Sequence, residues 1–283
     1  MPSDPKPQLH GSQLQTLYRC GEQFRRRYPD LSHPERGEKI SPGIALVVGT
    51  ATHKAVGANL TYKARRGHLM RLERVLDTAR DEVVAAWGRE GIRLLPEERC
   101  QGERKLKGQA IDQTIELVRE HSVVLAPRLL PRRDGVNWKW VINVQGYPFD
   151  LAGEADLLEV GARIRELKTW GQNKGQREAD ASEQLSIYAL AHQVHFKRLP
   201  TKVFIDAVLK YKTPVVKVFS SVRDQKDMKV TLARFARACT VIQSGNFTPA
   251  SQSDWWCSKK WCGYAPTCSF FRGRVTVGAS NGR

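Results

Sequence analysis

Two carboxylates and a lysine carry the first chemical signal in this chain. Gly153-Glu154-Ala155-Asp156 is followed, ten residues after its aspartate, by Glu166-Leu167-Lys168. The pattern reads as an acidic residue on a strand, a turn at Gly161-Ala162, and an acid-x-Lys triplet on the returning strand. Simple hairpin pairing sets Asp156 opposite Glu166, and opposed residues share a face with Cβ atoms about 4.5–5.5 Å apart. Glu166 and Lys168, two apart on a strand, share that face too. Such a group suits a divalent metal and a phosphate, whereas burying the same charge in an ordinary sheet would be costly. The plainer alternative is a solvated hairpin face with a surface Glu–Lys pair.

Two further pieces bear on that choice. His53, in Gly49-Thr50-Ala51-Thr52-His53, is expected at the start of a helix. A helix N-terminus disfavours the imidazolium, which leaves the ring neutral and able to ligate a metal. Taken alone, a histidine there is more often a core or surface residue. Gln184 and Tyr188 lie one helical turn apart and share a face; alone, such a pair is usually a helix packing on a sheet.

The elements that must position these residues follow from periodicity. Ser12-Gln13-Leu14-Gln15 fits a capping box and opens a helix through Phe24. A proline-rich loop is expected from Tyr28 to Pro42, then a helix opening at Gly49-Thr50, and two more near Leu72–Trp87 and Lys105–Val124. From Trp138 apolar and polar residues alternate as in a half-buried strand. Phe149–Glu159 and Arg163–Thr169 complete a meander, Ala181–Phe196 is helical, Lys202–Leu209 and Val215–Ser220 are strands, and Lys229–Gln243 is a last helix. This order indicates α/β or α+β architecture around a central mixed sheet. Residues 1–11 and the basic segment 272–283 read as flexible ends.

The 283 residues hold 46 Lys plus Arg against 29 Asp plus Glu, a net charge of +17. That excess favours a polyanionic partner, because each neutralised phosphate releases counterions. The charge is spread over Arg25-Arg26-Arg27, Arg65-Arg66, Arg104-Lys105-Lys107, Arg132-Arg133 and Lys210-Lys212, any one of which could be a solvated face. A membrane surface suits the chain less well, since no basic stretch has a long apolar face. No secretory signal is visible, and the longest apolar run, Gly43 to Val48, is far too short to span a bilayer. A soluble, intracellular and cytoplasmic protein is expected, so its cysteines are not read as a disulfide framework.

Gly-x-x-x-His, Gly-x-x-Asp, Glu-x-Lys and Gln-x-x-x-Tyr, in that order, resemble the RecB-like branch of the PD-(D/E)xK nuclease superfamily. Ser12-x-Leu14-x-x-Leu17-Tyr18-x-Cys20 also looks like that branch, so the resemblance spans residues 12–271. Gly21 follows Cys20 where many relatives have proline, a departure expected to affect only the loop. The resemblance implies a restriction-endonuclease-like α/β fold: one nuclease domain over 12–271, with a helical segment near 60–125. It implies that His53, Asp156 and Glu166, helped by the Leu167 carbonyl, hold Mg²⁺ or Mn²⁺. Lys168 would orient the attacking water or stabilise developing charge, and Gln184 and Tyr188 would position the backbone or water.

Cys257, Cys262 and Cys268 form C-x4-C-x5-C among Trp255, Trp256 and Trp261. Three cysteines so close in an intracellular protein read as metal ligands, with Cys20 the natural fourth. The layout resembles the subgroup that includes the AddB nuclease domain and CRISPR-associated adaptation nucleases, which implies a [4Fe–4S] cluster. Four thiolates would also serve tetrahedral Zn²⁺, the alternative, and the first spacing is C-x4-C where C-x2-C is commoner. Either metal would staple the two ends of the chain. Cys100 and Cys239 are expected to be buried helical thiols.

The expected activity is metal-dependent DNA hydrolysis, foremost by an exonuclease on single strands or duplex ends, in recombination, repair or adaptation. Relatives of this kind are often encoded by phages or other mobile elements. No G-x-x-x-x-G-K-[ST] occurs, so any helicase or recombination partner would be a separate polypeptide. The alternatives are a structure-specific endonuclease and a metal-stapled DNA-binding module that cuts nothing.

Overall fold

The computed structural model describes residues 6–32 and 40–272. In chain order come β1 (Gln8–His10), α1 (Gly11–Arg19), α2 (Gly21–Arg27), α3 (Pro29–Ser32), α4 (Ile44–Arg66), α5 (Leu72–Glu90), α6 (Pro96–Arg99) and α7 (Glu103–Glu120). A π-helical turn, His121–Leu125, and a short 3-10 turn lead into β2 (Pro131–Ile142), β3 (Asp150–Glu159) and β4 (Arg163–Trp170). Then follow α8 (Gln176–Asp180), α9 (Glu183–Phe196), β5 (Lys202–Leu209), β6 (Val215–Ser221) and α10 (Gln225–Ser244). The described residues up to Ser12 and from Ser41 to Arg237 form one unit, and the remainder form a second.

The first unit is built on a mixed sheet flanked by helices. β2 and β4 run antiparallel to β3, β5 runs parallel to β4, and β6 returns antiparallel to β5. β3 is the hub. Leu151 and Ala152 pair with both β1 and β2, while Leu157 and Glu159 pair with both β2 and β4. A strand has two edges, so β1 and β4 must share the edge opposite β2. Between their contact points, residues 153–156 have no strand partner on that edge among the described residues. The sheet is therefore notched beside Asp156.

Helices cover both faces. Val48, Ala55 and Leu60 of α4, Val83 of α5 and Leu117 of α7 form one apolar core with Leu157, Leu167 and Val208 of the strands. Glu166 and Lys168 alternate with Leu167 and so point to the opposite face. There they meet α9. Gly153 admits the Trp140 indole onto the sheet: a Cβ at Gly153 would lie 2.3 Å from a ring carbon.

Four expectations are corrected here. The helix carrying His53 begins at Ile44, because the apolar run from Ile44 to Val48 supplies its first turns rather than a strand or loop. α1 begins at Gly11, one residue before the expected cap at Ser12. Residues 8–10, expected to be flexible, are fixed as β1 by backbone pairing to β3. Cys100 is exposed just beyond the short α6, whereas Cys239 is buried as expected. Residues 1–5 of the expected N-terminal segment and 273–283 of the basic tail lie outside the described residues.

In the second unit Gly21 has a specific role. A Cβ there would lie 2.7 Å from the Thr248 backbone nitrogen, and the Gly21 N–H donates to the Thr248 carbonyl at 2.7 Å. The departure from proline thus sets how closely α2 approaches the segment after α10, beyond its effect on the loop. Phe24 stacks on Phe247 with centroids 5.8 Å apart, and Arg26 donates to Thr267 Oγ1 at 2.9 Å. Arg25 and Arg26 both pair with the buried Glu22, so two members of this basic triplet serve the fold.

Candidate active site

The β3–β4 register pairs Leu157 with Arg165 and Glu159 with Arg163, and its continuation brings Asp156 level with Glu166. Where the ladder opens, a side chain takes over the backbone bond: Leu167 N–H donates to Asp156 Oδ2 at 2.7 Å. His53 Nδ1 lies 3.2 Å from Asp156 Oδ1, and both side chains keep about a third of their surface exposed (31% and 29%), open to ions.

Glu166 sits in a closed ring of hydrogen bonds. Lys168 Nζ donates to Glu166 Oε1 at 2.6 Å and to Gln184 Oε1 at 2.8 Å. Gln184 Nε2 donates to the Tyr188 hydroxyl at 2.6 Å, and that hydroxyl donates to Glu166 Oε2 at 2.9 Å. The one-turn spacing on α9 places Gln184 and Tyr188 against Glu166 and Lys168 of β4. All six residues singled out in sequence are thus gathered here.

The electrostatics divide the two carboxylates. Burial, reinforced by the Asp156 charge and opposed by Lys168, pushes Glu166 up to about 7. Burial would raise Asp156 as well, but the His53 hydrogen bond and charge, the Leu167 N–H and Lys168 together hold it below its usual value. His53 is raised: burial would lower it, yet the Asp156 hydrogen bond and charge and the Glu166 charge outweigh this. The expectation of a ring kept neutral by a helix N-terminus is therefore corrected. Ten residues into α4, His53 is governed by Asp156. Burial, then the nearby carboxylates, pushes Tyr188 well above its ordinary value, so it stays a neutral donor.

Beneath the site lies a second charged layer. Arg165 donates to Glu159 Oε2 at 2.5 Å and to Asp206 Oδ1 at 2.8 Å, and Leu130 N–H donates to Glu159 Oε1 at 2.7 Å. Burial, against the pull of Arg165, pushes Asp206 up to about 6. His121, buried on the π-helical turn, is pushed down to about 4 by burial, then by the Arg165 charge. Sequence reading passed over these four residues. The available signal was an aspartate inside the otherwise apolar run Val203–Leu209 of β5.

The four expected cysteine ligands share one pocket in the second unit, with Trp256, Tyr264 and Phe271 among its other walls. Cys20 Sγ accepts the Gln23 N–H at 3.4 Å and the Ala250 N–H at 3.3 Å. Burial, then the charges of the other three cysteines, raises Cys257. Burial also raises Cys262, although backbone N–H groups of Tyr264 and Ala265 work against it. Four thiols lining one pocket, with backbone N–H groups directed at Cys20 and Cys262, are the donor set of a thiolate metal site. Among the described residues, however, no three His, Cys, Asp or Glu side chains are already set as ligands around one ion.

The model of the PD-(D/E)XK nuclease superfamily matches residues 10–269, and the chain belongs to that superfamily. A solved protein from Eubacterium rectale, described provisionally as an exonuclease, is 12% identical over 87% of this chain and 84% of its own, with a TM-score of 0.51. At that identity the likeness shows the fold. The solved structure of SSO0001 is 15% identical over 88% of this chain and 94% of its own, with a TM-score of 0.34. No curated protein matches. Among the described residues no helix is long and apolar enough to cross a membrane. The chain is thus a nuclease by family, of mixed α/β fold, in a superfamily that generally uses divalent metals such as Mg²⁺ and acts on DNA.

Proposed function

We propose that this chain hydrolyses phosphodiester bonds of DNA with Mg²⁺ or Mn²⁺, as an exonuclease acting on single strands or duplex ends. The observation that carries the reading is the convergence of Asp156, Glu166 and Lys168, with Gln184 and Tyr188 closing a ring around Glu166. His53, Asp156 and Glu166 would hold the metal, whose hard character suits carboxylate oxygen and imidazole. When bound, the ion lowers the pKa of a coordinated water and screens the phosphate. Tyr188 and Lys168 fix the Glu166 carboxylate toward the notch, and the Lys168 ammonium offsets charge that develops on the phosphoryl oxygens. Gln184 holds both Lys168 and Tyr188 in place. The net charge of +17 suits a polyphosphate substrate.

Cys20, Cys257, Cys262 and Cys268 are read as ligands of a structural [4Fe–4S] cluster, with Zn²⁺ as the alternative. Their common pocket and the N–H groups directed at Cys20 support a thiolate site. Work alongside a separate helicase or recombination protein, in repair, recombination or adaptation, belongs to the same proposal. End-labelled and circular DNA, each single- and double-stranded, test the mode of cutting in Mg²⁺ and Mn²⁺. Loss of linear DNA with circles spared is the expected result, and opening of circles would instead assign an endonuclease.

A further inference from the structure

Residues of the first unit form a concavity of ≈ 240 Å³ at the β3–β4 turn, walled by Arg132, Glu159, residues 160–162, His192, Phe196 and Arg198. Glu159 is its one acidic member, and its oxygens are already taken by Arg165, Arg163 and the Leu130 N–H. The cations are not cancelled in the same way. Arg132 has a weak partner in Asp134 at 3.5 Å, and Arg198 has no ion-pair partner among the described residues. Burial and both guanidinium charges lower His192, so both cations lie near its ring.

The floor is aromatic. Arg132 Cζ sits 5.0 Å from the centroid of the Phe196 ring, which packs 4.6 Å from His192 and 5.7 Å from Trp138. The plain account is that cations complement the C-terminal end of α9, whose carbonyls carry negative partial charge. That explains a cation near the helix end. It leaves unexplained an open concavity lined by two guanidiniums, one of them held over an aromatic ring, the combination that grips single-stranded nucleic acid by phosphate contact and base stacking.

The pocket stands at a readable distance from the catalytic carboxylates. From Tyr188 to Phe196 is about 12 Å along α9 at 1.5 Å per residue. From Glu166 to Ala162 is about 13 Å along the strand at 3.3 Å per residue. Both routes give about 12–13 Å between those carboxylates and the pocket. The geometry points to a remote strand-holding subsite: Arg132 and Arg198 bind a phosphate of a single strand about 12–13 Å from the catalytic carboxylates, and a base stacks on the Arg132 guanidinium that Phe196 supports. The inference rests on the nuclease reading for its substrate and deepens it by naming single-stranded DNA as what the site retains.

The test is fluorescence anisotropy of a labelled single-stranded oligothymidylate, longer than this span, titrated with full-length protein over a range of salt. The protein carries Asp156→Ala, so turnover does not enter. Arg132→Ala with Arg198→Ala is expected to weaken affinity about tenfold and to lower the salt slope by about 0.7, the loss of one single-strand phosphate contact. Phe196→Leu is expected to weaken affinity about fivefold at an unchanged slope, as loss of the support beneath a stacking face does. Should the double variant melt early, Arg198→Glu at its exposed position replaces it, with a loss of more than tenfold expected. Unchanged affinity and slope in the folded arginine variants would overturn the subsite. A failure of the nuclease reading shows elsewhere, as wild-type protein that binds this oligonucleotide with the same arginine dependence and never hydrolyses it.

Discussion

The Asp156 carboxylate accepts the Leu167 N–H at 2.7 Å where the β3–β4 ladder opens, so one side chain both completes the sheet and faces the notch. The two roles can be separated. Asp156→Ala leaves the Leu167 N–H without its partner and should lower stability by about 1 kcal/mol, the usual net worth of a hydrogen bond. Asp156→Asn keeps an oxygen that accepts this N–H and should unfold close to wild type in denaturant. Both should fail to cleave DNA. Equal stability of the Ala and Asn variants would remove the structural half of the argument.

Glu166 makes stability depend on pH in a defined direction. Its carboxyl is raised to about 7, above the ordinary glutamate range, so it holds its proton more tightly folded than unfolded. The contribution is therefore full below about 4.3 and is lost as pH rises to about 7, on the order of 3 kcal/mol. Asp206, raised to about 6, adds a fall in the same direction. Denaturant unfolding of metal-free protein should show this decline between pH 5 and 7, and Glu166→Gln should flatten it. Added Mg²⁺ should stabilise wild type more at pH 8 than at pH 5, because the ion needs the ionised carboxylate. A slope that survives Glu166→Gln unchanged would assign the decline elsewhere.

Gly21 should tolerate no side chain. Gly21→Ala places a Cβ against the Thr248 backbone, which cannot swing aside, and should cost about 1–3 kcal/mol. Gly21→Pro additionally deletes the N–H that Thr248 accepts and should cost more. Thermal melting of both variants checks this, with wild-type melting of Gly21→Pro as the contrary result.

The cysteines should fall into two classes. Cys20→Ser, Cys257→Ser, Cys262→Ser and Cys268→Ser should each lose bound metal and lower the melting temperature, since each thiol lines the shared pocket. Cys100→Ser, at an exposed position, should keep full metal content. Elemental analysis with visible absorbance separates iron–sulfur from zinc. Stable, fully metallated Cys262→Ser protein would contradict the staple.

The strands and the α9 face were legible in sequence because period-2 and one-turn spacings act locally. Those spacings alone could set Asp156, Glu166 and Lys168 on one face and Gln184 beside Tyr188; that the two groups meet was implied only by the family resemblance. The start of α4 was not legible: the apolar run from Ile44 to Val48 is equally compatible with strand or helix, and tertiary packing on α5 and α7 decides. His53 was consequently given the wrong electrostatic environment. Residues 8–10 carry too few side chains for any period, and their strand exists through pairing with β3. The layer of Glu159, Arg165, Asp206 and His121 joins four separate elements, which no local pattern reveals.

The central claim is tested most directly by hydrolysis of end-labelled single-stranded DNA in Mg²⁺ and in EDTA, with wild-type, Asp156→Asn and Lys168→Ala proteins whose DNA affinity is measured beside it. The account requires metal-dependent cleavage by wild type, a loss of about a thousandfold or more in both variants from removed transition-state stabilisation, and affinities within a few-fold of wild type. Cleavage by Asp156→Asn at the wild-type rate would contradict it.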